Sequence, residues 1–123
     1  PFLKEYTGDP ELIAAAQAAC AEAGVKALVG KIATGDLFVG DSATKAAIEA
    51  KCAPDCVEME GAAIAHIAAK NGIDCLVMRA ISDNCDEAYD ALCTREFDLE
   101  EYAQRASNIT LGIVRRVICG NEA

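Results

Sequence analysis

The sequence predicts an α/β fold with a parallel or mixed sheet flanked by helices. Three observations carry that expectation. Helical stripes alternate along the chain with short apolar runs. Glycine and polar turn residues separate them. Residues 73–81 form a near-continuous apolar run, the pattern of a strand buried on both faces of a parallel sheet.

The elements follow in order. Asp9-Pro10-Glu11 is a helix start: a capping acceptor, a proline at the first helical position, then an acid favoured by the helix dipole. Leu12, Ile13, Ala16, Ala19 and Cys20 recur at helical spacing, and Gly24 is the stop. Residues 25–33 read as a strand, Thr34-Gly35-Asp36 as a loop, and 42–50 as a second helix. A short strand is expected over 56–59 and an alanine-rich helix over 60–70, ended by Gly72. After the strand at 73–81, residues 84–94 are polar and read as loop. Asp98 is expected to cap a last helix striped by Leu99, Tyr102, Ala106, Ile109, Ile113, Val114 and Val117. Three strands make a small sheet with two open edges, so the core is expected to need strands from elsewhere.

Composition narrows the function. The net charge of -9, with eleven basic residues forming no stripe, argues against nucleic acid as a partner. No apolar run reaches the roughly 18 residues that span a bilayer, and no basic leader precedes an apolar segment, so neither a membrane nor a secretory route is expected. Seven cysteines cannot all pair within one chain, and they contain no Cys-x-x-Cys. Free thiols in a reducing cytoplasm account for them better than disulfides or a metal, and no metal site is expected.

Chemistry collects at the carboxyl ends of the expected strands, where open α/β sheets bind ligands. The first end delivers Gly35, Asp36, Phe38 and Val39; the second Glu58, Met59 and Glu60; the third Arg79, Ser82 and Asp83. Glu60 is either a helix N-terminal acid stabilised by the dipole or an acceptor for vicinal hydroxyls. A charged Arg79 in an apolar strand needs a partner, either Glu58 or Glu60. Asp83 is a turn cap or a general acid with a carboxyl pKa raised by burial. Phe38 offers a flat apolar face to a heterocycle or packs in the core. His66, within a helix, reads as packed rather than functional.

Three segments, Thr34-Gly35-Asp36-Leu37-Phe38-Val39, Val57-Glu58-Met59-Glu60-Gly61-Ala62-Ala63 and Val77-Met78-Arg79-Ala80-Ile81-Ser82-Asp83, resemble the 5'-methylthioadenosine/S-adenosylhomocysteine nucleosidases of the nucleoside phosphorylase superfamily. The resemblance runs over essentially the whole chain. It implies a partial nucleoside phosphorylase-like fold, with residues 1–123 forming the C-terminal part of a longer domain. It further implies hydrolysis of the N-glycosidic bond of those nucleosides, releasing adenine in methionine salvage.

Asp83 then matches the acid that protonates purine N7, assisted by Ser82. Glu60 matches the ribose-binding carboxylate, beside the ribose contact Met59. Glu58 and Arg79 match residues near the attacking water. Phe38 and Val39 match the purine platform and a main-chain base contact, and Phe97 an apolar wall of the 5'-thio pocket. The resemblance also implies a cytoplasmic homodimer that takes a small purine nucleoside and no cofactor. The glutamate that activates water belongs to the family's N-terminal half, so the 123 residues alone are expected to be inactive. Purine or uridine phosphorolysis, futalosine hydrolysis and a non-catalytic fragment are the competing readings.

Overall fold

The computed structural model describes residues 5–82, 84–86 and 99–120. Asp83, Phe97 and Asp98, and most of the expected loop at 84–94, lie outside these described residues. In chain order the elements are α1 (Pro10–Glu22), β1 (Ile32–Thr34), α2 (Ser42–Cys52), β2 (Cys56–Glu58), α3 (Gly61–Lys70) and α4 (Leu99–Cys119).

α1 begins as its sequence directs: the Asp9 carboxylate accepts the Leu12 amide at 3.0 Å, and Pro10 occupies the first turn. Its buried face is made of small residues, Ala15, Ala16, Ala19 and Cys20. Against it lies α4, with Ile109 buried on Ala19 and Cys20 and with Val25 and Ile113 packed alongside. Gly112 lets the helices close, since a Cβ there would stand 3.3 Å from the Ala19 methyl. Arg116 of α4 pairs with Glu22 of α1 across the seam.

β1 and β2 pair in parallel, joining Ile32 to Cys56, Ala33 to Val57 and Thr34 to Glu58. A parallel pair needs a crossover, and α2 supplies it. Asp41 caps α2 by accepting the Thr44 amide at 2.8 Å. Lys31 and Asp55 set the register from below: the Asp55 amide donates to the Lys31 carbonyl at 2.8 Å, and the Asp55 carboxylate accepts the Lys31 amide at 2.8 Å.

The α/β class is as expected, but the sheet is smaller. Of the run 25–33 only Ile32 and Ala33 join the ladder, together with Thr34, and Leu28 and Val29 are largely exposed. Residues 73–81 carry no strand, and among the described residues the sheet has two strands. The apolar run still sits in the fold, held by a hydrogen bond from the Asp9 amide to the Cys75 carbonyl at 3.0 Å. Leu76 and Met78 share a groove with Leu12 and Ile113. Composition marks such a run as suited to a sheet interior, but a ladder requires a strand paired alongside through successive hydrogen bonds, and among the described residues none pairs with it.

The six cysteines among the described residues are free thiols. Among the same residues no helix is long and apolar enough to cross a membrane. His66 stacks on Tyr6, with ring centroids 5.8 Å apart.

α2 ends with Ala53 in the left-handed region, at φ 45°. That conformation costs a residue with a Cβ about 1–2 kcal/mol. Ala53→Gly should relieve it and, after the entropy glycine adds to the unfolded chain, stabilise the protein by about 0.5–1 kcal/mol. Urea denaturation checks this; an unchanged or lower midpoint contradicts it.

Candidate functional site

The site grows from the carboxyl ends of β1 and β2. Glu58 closes β2 opposite Thr34 of β1. One oxygen of its carboxylate, Oε2, accepts the Gly61 amide at 2.7 Å, the Glu60 amide at 3.0 Å and the Arg79 guanidinium at 2.5 Å. The other, Oε1, accepts the Thr34 hydroxyl. Thr34 Oγ1 in turn accepts the Ala62 amide at 2.9 Å. A helix leaves its first amides without intrahelical partners, and here two strand-end side chains take them up.

The carboxylate that accepts the first amides of α3 is that of Glu58, not that of Glu60. Glu60 occupies the capping position of α3 at φ -132°, ψ -22°, and its side chain makes no capping hydrogen bond. The Glu60 carboxylate is 61% exposed, against 8% for that of Glu58. Arg79 reaches both, Glu58 at 2.5 Å and Glu60 at 3.4 Å.

Burial alone would push the Glu58 carboxyl pKa upward. Hydrogen bonds from Thr34 and from the Glu60 and Gly61 amides, with the charge of Arg79, outweigh it and hold the group below the usual glutamate value. Cys56, two residues earlier, moves the other way: burial raises its thiol pKa, as do the charges of Glu58 and Asp55, despite Arg79. Such a shift disfavours the thiolate, the reactive form of cysteine.

Around this hub the expected residues are placed unequally. The Gly35 amide donates to the Glu58 carbonyl at 3.1 Å, which brings the turn after β1 to the end of β2. Beyond that turn Val39 is buried and Phe38 is 58% exposed, so Phe38 is not a core residue here. Its ring lies over the Gly40 backbone, where a Cβ would come within 2.8 Å of it. Met59, between the two glutamates, is 43% exposed. Ser82 is exposed.

Two residues that sequence reasoning did not assign tie down the segment flanking position 83. The Tyr102 hydroxyl of α4 donates to the Ala80 carbonyl at 2.8 Å, and Lys45 of α2 donates to the Asn84 carbonyl at 3.0 Å. Thr34 was missed too. Its signal was available only as a hydroxyl residue at a strand end, opposite an acid at the end of the next strand. Among the described residues no group of three histidines, cysteines or acids is placed to hold a metal ion.

Two outcomes follow from the hub. A Cβ on Gly61 would lie 2.9 Å from both Glu58 Oε1 and Val77, so Gly61→Ala should destabilise the fold by about 1–3 kcal/mol, read by chemical denaturation. A neutral effect would contradict the packing described. The second concerns pH. The folded Glu58 value lies below the unfolded one, so between the two the unfolded chain binds more protons and stability rises with pH. The contribution is complete above the ordinary glutamate value of about 4.3 and is lost as pH falls through the lowered one. Glu58→Gln should flatten that part of the acid-stability curve; an unchanged curve counts against the hub.

Comparison with known proteins bears on what such a site serves. The sequence profile described as the phosphorylase superfamily matches residues 1–118. The 5'-methylthioadenosine/S-adenosylhomocysteine nucleosidase of Treponema pallidum is 38% identical over 120 residues, covering 90% of this chain and 43% of that protein. The aminodeoxyfutalosine nucleosidase of Campylobacter jejuni is 34% identical over 96 residues, 78% of this chain and 39% of that protein. In structure, the Helicobacter pylori 5'-methylthioadenosine/S-adenosylhomocysteine nucleosidase, solved with butyl-thio-DADMe-Immucillin-A, superposes with a TM-score of 0.78 at 31% identity. That superposition covers 94% of this chain and 50% of the other. The chain thus spans about two fifths of the length of these curated relatives. Sequence profile, relatives and superposition agree on the family: the chain belongs to the phosphorylase superfamily, where the proteins it resembles are nucleosidases.

Proposed function

We propose that this chain forms the ribose- and purine-binding part of a nucleosidase that hydrolyses the N-glycosidic bond of 5'-methylthioadenosine and S-adenosylhomocysteine, releasing adenine. The observation that carries the proposal is the division between two adjacent carboxylates. Glu58 is enclosed and committed to four donors, whereas Glu60 stands exposed beside it and touches Arg79 at 3.4 Å. A carboxylate with lone pairs left over beyond one such contact can accept both hydroxyls of a ribose.

The other roles follow from chemistry. Met59 presents an exposed apolar side chain beside Glu60, suited to the sugar face. Exposed Phe38 offers a stacking plane for the purine, and the Val39 main chain a hydrogen-bonding edge. Cleavage builds positive charge on the sugar, which nearby carboxylates stabilise, and protonation at N7 makes the base a better leaving group. Asp83, assisted by Ser82, is the acid in this reading. Glu58 and Arg79 stand near the attacking water, with Glu58 as the anchor that fixes Arg79.

The remaining length of the relatives supports a further proposal: residues 1–123 are the C-terminal part of the domain, and the water-activating group lies in the other part. A homodimer is supported by the many exposed large apolar side chains, among them Ile64, Ile67, Val117 and Ile118. A cytoplasmic role in methionine salvage is supported by the free thiols and by the substrates of the nucleosidase relatives. A second reading, hydrolysis of aminodeoxyfutalosine, is favoured by the likeness to the Campylobacter jejuni protein.

The test is adenine release by a polypeptide that joins this chain to the remaining length its relatives possess. Methylthioadenosine should yield adenine equally with and without phosphate, and faster than aminodeoxyfutalosine does. A phosphate requirement would make the protein a phosphorylase, and no adenine would end the proposal. In that enzyme Asp83→Asn should lower turnover about a hundred- to ten-thousand-fold while a nucleoside analogue still binds. Glu60→Gln should instead weaken binding and turnover together. Near-normal turnover in Asp83→Asn would return Asp83 to a turn cap.

A further inference from the structure

We infer that Thr34 is a positioning residue of this site: its one hydroxyl joins the Glu58 carboxylate of β2 to the first turn of α3 and thereby sets where Glu60 and Arg79 stand. The link itself rests on geometry. Its consequence for catalysis rests on the nucleosidase reading above.

Proton accounting fixes the direction of each bond. A threonine hydroxyl carries one proton and accepts through its lone pairs. The Ala62 amide can only donate, and it does so to Thr34 Oγ1 at 2.9 Å. The hydroxyl proton therefore goes to Glu58 Oε1. Oε2 already receives the amides of Glu60 and Gly61 and the Arg79 guanidinium, so each carboxylate oxygen is held from a different side.

Thr34 can hold its place because it is itself held. It is the last residue of β1, paired in register with Glu58, and the following Gly35 amide donates to the Glu58 carbonyl. A β-branched side chain in a strand has few χ1 choices, so the hydroxyl is aimed before α3 begins. Without it, Glu58 Oε1 loses a donor and the Ala62 amide loses its acceptor. The start of α3 and the carboxylate that holds Arg79 are then both released. Glu60, which opens that helix and shares Arg79, would lose its fixed position with them.

Two substitutions in the 123-residue chain separate this role from simple packing. Thr34→Val keeps the shape and removes both hydrogen bonds, and Thr34→Ser keeps the hydroxyl. The readout is the titration of the Glu58 carboxyl carbon by NMR, against a background of the charged and titratable groups near it: Arg79, Glu60, Asp55 and Cys56. Thr34→Val should move the Glu58 midpoint upward and remove the hydrogen-bonded shift of the Ala62 amide. Thr34→Ser should restore both.

The inference is overturned if Thr34→Val leaves the midpoint unchanged. It is also overturned if Thr34→Ser raises the midpoint as much as valine does, because the hydroxyl would then not be the operative group. Should the valine variant not fold, a folded serine variant with the wild-type midpoint supports the inference, and a serine variant that also unfolds overturns it. No substrate enters this measurement, so it stands even if adenine release fails.

Discussion

A single, little-exposed carboxylate organises the site end of this molecule. Glu58 closes the second strand and accepts four donors, from β1, from the start of α3 and from the segment carrying Arg79. An anion at a helix N-terminus gains from the aligned peptide dipoles and from amides that would otherwise lack partners. A buried charge is tolerable only when hydrogen-bonded and paired, and Glu58 is both. The glycine at position 61 belongs to the same constraint, since the carboxylate sits where a side chain would otherwise be. One interaction thus decides the entry angle of α3, the place of Arg79 and the exposure of Glu60.

The rest of the fold is thinly buried by comparison. Among the described residues half of the buried apolar set is alanine, joined by Cys20, Val39 and Ile109, while Leu28, Ile73, Ile81 and Ile118 are each more than 60% exposed. Small residues suit the close α1–α4 seam but exclude little apolar area from water. Stability therefore leans on the helix pair and on local caps such as Asp9 and Asp41. Residues 25–29 and 73–81 have the composition of a sheet interior and lack a described neighbouring strand. The relatives are about twice as long as this chain.

How much of this was legible in the sequence depended on the range of the interaction. Asp9-Pro10-Glu11 is a local signal, and α1 starts where those residues direct. The convergence of the 58–60 and 79 positions followed from strand-end logic, and the Arg79 ion pairs are present with both candidate partners. Sequence left Glu60 open between a helix-terminal acid and a hydroxyl acceptor; that the Glu58 carboxylate takes up the first amides of α3 depends on backbone angles at Glu60 that no spacing rule contains. Strand extents at 25–33 and 73–81 were overread, since apolar composition reports burial while a ladder reports a neighbour. Thr34 could not be found from its local context; its function exists only in register with Glu58, 24 residues away.

Amide hydrogen exchange at Glu60, Gly61 and Ala62 tests the central claim most directly. First-turn helix amides ordinarily exchange freely, because nothing within the helix accepts them. Here all three should be protected in the wild-type chain at neutral pH, and Glu58→Ala should remove the protection at Glu60 and Gly61 while the middle of α3 stays protected. Free exchange at these amides in the wild type, or protection that survives Glu58→Ala, would contradict the account.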